Sequence, residues 1–302
     1  MWALIWITTS QAAVLGLSTA LLLIVVGLVV LIGRSHSTRV DSAEAAHAAR
    51  QLLDTCRNLD SENAVVRAGG LHALGMMWRD WPREHDRILQ IVVSWLQDHA
   101  QPTGADTADF RRASRPAPDV AAAVAELAGR PVRDEQRQIL DLAGCALSDC
   151  DLPAVRLPGA NLTKAELNRA TLSGADLSGA NLSSAQLSGV TLSGANLTGA
   201  GLDNSLLEQA DLSETDLTGA NLSYARMRGT TLTGANLSGA NLKKAGLRGA
   251  TLAGANLTGA NLTAADLSGV DLTEVTGLTH TQLRIAVTDE MTRIPAGARP
   301  QD

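Results

Sequence analysis

The chain has 302 residues and a formal charge of −6, and 45% of its residues are hydrophobic while only 2% are aromatic. Leu and Ala carry the apolar content, so the scarcity of aromatic residues does not signal disorder. Its histidines (His36, His47, His72, His85, His99 and His280) are scattered with no H-E-x-x-H, G-x-S-x-G or P-loop pattern. That excludes the enzyme classes such motifs mark, and neither a catalytic, metal-binding nor cofactor-binding residue is expected.

Residues 1–33 carry no charged side chain, and 12–32 is almost wholly apolar. As a helix, that stretch would reach roughly 30 Å, the thickness of a bilayer core. No basic region precedes it, and Gly33-Arg34-Ser35-His36 offers no small-x-small cleavage site, so a retained transmembrane anchor is expected over 1–33. Arg34 and Arg39 follow the span while no basic residue precedes it. The positive-inside rule then places the C-terminal body in the cytoplasm of a single-pass cell-membrane protein.

Helical spacing governs 34–135. Ala45, Ala49, Leu52, Leu53 and Cys56 suit one amphipathic helix, and Val65, Val66, Leu71, Leu74 and Met77 a second. Ile88, Ile91, Val92, Trp95 and Leu96 suit a third, with Pro82 in its first turn, and a fourth is expected from Pro118 to Leu127. Gln101 to Pro118, rich in Pro, Asp, Ala and Arg, reads as a mobile loop.

From Asp141 to Thr273 the chain counts in fives. Leu stands at 142, 147, 152 and onward to 272, replaced only by Met227. Two residues before nearly every Leu is a small residue, usually Ala, otherwise Cys145, Cys150, Val155, Val190 or Ser205. On an α-helix, five residues advance about 500°, so these Leu would wander round the cylinder. On a flat strand an odd period throws alternate Leu to opposite faces. The chain must instead bend at every pentad, with each Leu and its small partner pointing into one core. A twenty-residue repeat lies over the five: NLTKAELNRATLSGADLSGA sits above NLSSAQLSGVTLSGANLTGA. Four pentads per coil give a square section, with Asn161, Asn181, Asn221, Asn241 and Asn261 stacked in one column and Thr171, Thr191, Thr231 and Thr251 in another. Cys145 and Cys150 fall on inward positions and, like Cys56, read as reduced core residues.

This run resembles the pentapeptide-repeat family, whose pattern is A-[DN]-L-x-x. The resemblance implies an all-β, right-handed quadrilateral β-helix over 136–275 with no catalytic residues of its own. The stretch AVVRAGGLHALGMMWRDWPREHDRILQIVVSWLQ resembles the helical segment preceding such repeats in a set of bacterial proteins, and a HEAT-type helix pair. GLTHTQLRIAVTDEMTRIPAG resembles the tail that closes many members, so 276–302 is expected to form a capping helix and tail. Thr279 and Gln282 fit a capping box there.

The four sides of a coil differ. The residue before Leu is Asn on face one (161 and its equivalents, Gly201 excepted), Thr or Asp on face three, and Asn or Asp on face four. Face two is irregular: Glu166, Gln186, Leu206, Arg226, Gly246 and Asp266. Stacking alone explains a regular face, so the irregular one is the better candidate for a partner. Over 161–275, faces one and two hold seven basic against four acidic residues, while faces three and four hold six acidic residues and no basic one. The basic stripe gathers at Arg226, Arg228, Lys243, Lys244 and Arg248 beside Tyr224, and Leu206 reads as an outward contact or a local bulge. Solubility is the competing explanation of the charges.

The expectation is a non-enzymatic, membrane-tethered scaffold presenting a rigid rod to a protein partner. Two alternatives stand beside it. One is regulation of a topoisomerase such as gyrase by DNA mimicry, which some members of the family perform. The other is docking of the basic face on anionic lipid. The chain is not expected to bind nucleic acid.

Overall fold

The computed structural model describes residues 50–52, 54–80, 85–101, 117–128 and 139–295. They fall into two compact units, one helical and one built from the pentads.

In the helical unit, residues 54–59 are helical and are followed by α1 (Ala64–Asp80), α2 (His85–His99) and α3 (Pro118–Ala128). The recurrence of Ile88, Ile91, Val92, Trp95 and Leu96 at steps of three and four buries all five. The Trp95 indole N–H donates to the Leu59 carbonyl at 3.3 Å, which satisfies the one polar atom of that side chain. Helix α1 departs from the sequence pattern: Leu71 and Leu74 are buried, but Val65 is 72% exposed and Val66 40%. Arg67 explains the rotation, because its Nε donates to the buried Asp119 carboxylate of α3 at 2.6 Å, turning that side of the helix inward. The principal neighbour of α1 is accordingly α3, with α2 a lesser one, so it is not a simple α1–α2 hairpin. Pro82 and the loop expected over 101–118, save its end residues, lie outside the described residues.

The membrane expectation is corrected. Among the described residues no helix is long and apolar enough to cross a bilayer. The longest, α1, has 17 residues, reaching about 25 Å, and carries Arg67, Arg79 and Asp80. The apolar stretch 12–32 lies outside the described residues, and the single-pass, cell-membrane localisation drawn from it is withdrawn. Lipid contact, expected alongside it, has no support from the described residues.

In the second unit one backbone device recurs. The N–H of the small residue donates to the carbonyl of the Leu three positions earlier, as from Ala165 to Leu162 at 3.0 Å. The residue just before the small one, alone in the turn, takes φ near +60°, which identifies a type II turn. The residue before each Leu then pairs in parallel with its counterpart twenty positions on: Asn161 with Asn181, Glu166 with Gln186, Thr171 with Thr191, Asp176 with Asn196. These four columns are the four sides of the coil. The all-β expectation needs one amendment, since among the described residues no strand extends beyond such single-residue bridges. Two residues of each pentad are spent on the turn, which leaves one extended residue per side to pair.

Every periodic Leu from 142 to 272, with Met227, is at most 4% exposed. The pattern of small inward residues also admits Thr215 and Thr230, which the hydrophobic reading passed over. Their hydroxyls, like that of Ser205, donate to carbonyls inside the coil: Thr215 to Leu192 at 3.1 Å, Thr230 to Leu207 at 2.8 Å and Ser205 to Leu202 at 2.7 Å. A buried hydroxyl is tolerated here because a partner stands within reach. Cys56, Cys145 and Cys150 are buried and free. Burial pushes the thiol of Cys145 up to about 11, and those of Cys56 and Cys150 up to about 12.

The C-terminal residues close the last coils. Thr279 caps α4 (His280–Ile285) in a reciprocal box with Gln282. The Gln282 amide donates to the carbonyls of Leu257 and Ala260 at 2.9 and 3.0 Å. Val287 and Arg293 then bridge to Asp266 and Asp271. Backbone groups that an unfinished coil would leave open are thereby paired.

Candidate functional site

Faces one and four spend their side chains on one another. On face one Asn241 donates to Asn221 at 2.9 Å and Asn261 to Asn241 at 3.1 Å; on face four Asn196 donates to Asp176 at 3.3 Å and Asn256 to Asn236 at 3.2 Å. The Ser or Thr two residues later donates back to the same oxygen, as Thr218 does to Asp216 at 2.6 Å. That hydroxyl bond, more than any other, holds the Asp216 carboxyl below the usual carboxylate range. Ladders of this kind satisfy these two sides internally.

Face two has no such ladder running its length. Its column runs Glu166, Gln186, Leu206, Arg226, Gly246, Asp266 in unbroken parallel pairing. Leu206 is therefore not at a bulge, and it is half-buried between Gln186 and Arg226 instead of standing free in solvent. An outward Leu in a stacked column is partly covered by its neighbours one coil away, so Leu206 offers a partner less surface than a free side chain would.

The remaining sequence candidates do come together. Tyr224, Arg226, Arg228, Lys243, Lys244 and Arg248 are all exposed and lie on face two or at the corners bounding it, in two adjacent coils. Those coils, 221–260, contain five basic residues and no acidic one. The Arg226 Nε is held by Glu208 of the preceding coil at 2.7 Å. Among the described residues, Arg228, Lys243, Lys244 and Arg248 form no ion pair. The Lys244 ammonium lies 5.3 Å from the centroid of the Tyr224 ring, a cation–π contact that orders both side chains.

The turn after face one carries a feature that the sequence shows only once the backbone is known. Its left-handed position holds Lys164, Ser184, Asn204, Tyr224, Lys244 and Ala264, with φ between 56° and 61°. In coils 221–240 and 241–260 the other three corners are all Gly. A side chain in this conformation costs about 1 kcal/mol relative to a strain-free backbone. The corner beside face two accepts that cost six times in succession, so that side chains project where glycine would leave none.

The family profile described as pentapeptide repeats, in 8 copies, matches residues 141–179, 175–213, 195–234, 210–248 and 240–276. Residues 141–276 thus carry the repeats of the pentapeptide-repeat family. The four bridge columns agree with the quadrilateral β-helix that the resemblance implies. No curated protein matches the sequence. Among solved structures, trypsin-treated QnrB1, a plasmid-mediated fluoroquinolone resistance protein, is 23% identical over 50% of this chain and 77% of its own, with a TM-score of 0.45. Rfr23, a pentapeptide-repeat protein from the cyanobacterium Cyanothece 51142, is 28% identical over 47% and 90%, with a TM-score of 0.29. HetL, a pentapeptide-repeat protein involved in heterocyst differentiation regulation from Nostoc sp. strain PCC 7120, is 29% identical over 52% and 86%, with a TM-score of 0.16. No enzyme family is indicated by these matches.

Proposed function

We propose that this chain is a non-enzymatic interaction protein whose pentapeptide-repeat coil offers face two and its bounding corners to a protein partner. One observation carries the reading: coils 221–260 gather five exposed cations on one side with no acidic residue, and four of those cations are free of ion pairs among the described residues. A coil held by turn and inter-coil hydrogen bonds loses little conformational entropy on binding, so a modest contact set suffices for useful affinity. Regulation of a topoisomerase by DNA mimicry fits less well. It needs acidic charge continued along the rod, and no Asp or Glu occurs between Asp216 and Asp266, a gap of two full coils or about 10 Å.

Photo-crosslinking in cells tests the proposal, with the probe at position 228 and, as control, at position 216 on the acidic side. A discrete protein adduct at 228 alone is expected. Equal adducts at both positions, or none at either, would overturn it, and so would inhibition of gyrase supercoiling by stoichiometric amounts of the chain.

A further inference from the structure

We infer that Gly246 forms the floor of a notch on face two that receives a carboxylate from a short acidic segment of a protein partner. The inference rests on the function proposed above and narrows it to one site and one chemistry. Gly246 occupies a bridge position, paired with Arg226 on one side and Asp266 on the other. Its backbone lies outside the left-handed region, and a Cβ built there would meet nothing within 4 Å. Neither turn geometry nor crowding therefore requires glycine. A bare residue in an extended, paired position forgoes packing that any side chain would supply. What it leaves is open space between Lys244, two positions before it, and Arg248, two positions after it.

The surroundings select the occupant. Lys243 stands beside Lys244 at one corner, and Arg228 lies one coil below Arg248 at the other, all exposed. Tyr224 holds Lys244 from below through its ring. Cations thus flank the notch on both sides, complementary to a carboxylate, and the guanidinium of Arg248 can grip one with two parallel donors. The patch ends abruptly. Asp203 and Glu208 occupy the coil before it and Asp266 the coil after it, the last with its carboxylate bound by the amide and hydroxyl of Ser268 at 3.0 and 2.6 Å. A duplex or a membrane surface extends well beyond two coils, about 10 Å, and would meet these carboxylates. Two or three residues of an extended acidic segment would not.

The test uses the full chain and a labelled six-residue peptide alternating Asp and Glu, with its Asn and Gln counterpart as control, read by fluorescence anisotropy. Selective binding of the acidic peptide is expected, weakening as salt is raised. Filling the notch with Gly246→Val should weaken it at least tenfold while leaving the melting temperature equal or higher, since the added side chain enters open space. The double change Arg228→Ala with Arg248→Ala should also weaken it at least tenfold. Equal affinity of wild type and Gly246→Val would overturn the notch, as would tighter binding of a duplex oligonucleotide or of phosphatidylserine vesicles lost in the same variants. If the notch fails while a single protein adduct still forms at position 228, the wider reading stands. Absence of that adduct removes both.

Discussion

Leu237 lies in the middle of the stack and is fully buried. Replacing it by Ala removes three carbons from the core, a transfer loss of about 2.4 kcal/mol at roughly 0.8 kcal/mol for each. The site has little freedom to collapse, because the Leu237 N–H donates to the Asn256 carbonyl at 2.9 Å and the Asn236 carbonyl accepts from Leu217 at 2.8 Å. Coils tied above and below keep their spacing, so a residual cavity of about 50 Å³ adds about 1.2 kcal/mol. Leu237→Ala should therefore destabilise the coil by about 3–4 kcal/mol. Leu237→Met should cost less than about 1.5 kcal/mol, since Met227 already fills an equivalent position with no exposure. Urea unfolding followed by far-ultraviolet circular dichroism measures both. A midpoint for Leu237→Ala that matches wild type would refute the inward assignment and the rigidity argument together.

Three further outcomes follow from the same geometry. Gly239 has φ of +66° with open space where a Cβ would sit, so Gly239→Ala isolates backbone strain and should cost about 1 kcal/mol, whereas Tyr224→Gly relieves that strain while losing the ring contact with Lys244 and should shift stability by less; thermal melts of the two variants decide it. The Asp216 carboxyl is held below its ordinary value of 3.8 chiefly by the Thr218 hydroxyl, so the stability it lends is present above that value and is lost as pH falls through the lowered folded value. Asp216→Asn, which copies Asn196 and Asn236 in the same column, should leave neutral stability unchanged and flatten the acid limb of a stability–pH curve below the ordinary carboxylate value of 3.8. The thiols of Cys56, Cys145 and Cys150 rise from 9.0 to between about 11 and about 12, so the stability tied to keeping them protonated is complete below pH 9 and is lost toward pH 12. At pH 8 all three should resist a thiol reagent until the chain unfolds, and rapid labelling of the folded protein would contradict their burial.

The sequence by itself determined the coil. A five-residue spacing of Leu is incompatible with a straight helix or strand, and the twenty-residue overlay set four sides to a turn, so Leu237 and Ala165 could be placed inward from the letters alone. It also showed that face two breaks the pattern and that the cations share a side, because columns in a solenoid follow from counting. Tertiary structure decided what counting leaves open. Leu206 looked exposed until Gln186 and Arg226 were found on either side of it, and the ion pair of Arg226 with Glu208, one coil away, is set by the stacking of the coils. In α1, the apolar spacing of Val65 and Val66 lost to Arg67, whose ion pair with Asp119, 52 residues away, turned the helix. The same holds for Gly246, whose identity is in the sequence but whose role depends on its neighbours. A glycine is a turn residue or a vacant floor according to its φ and to what surrounds its missing Cβ, and both quantities exist only in the folded chain.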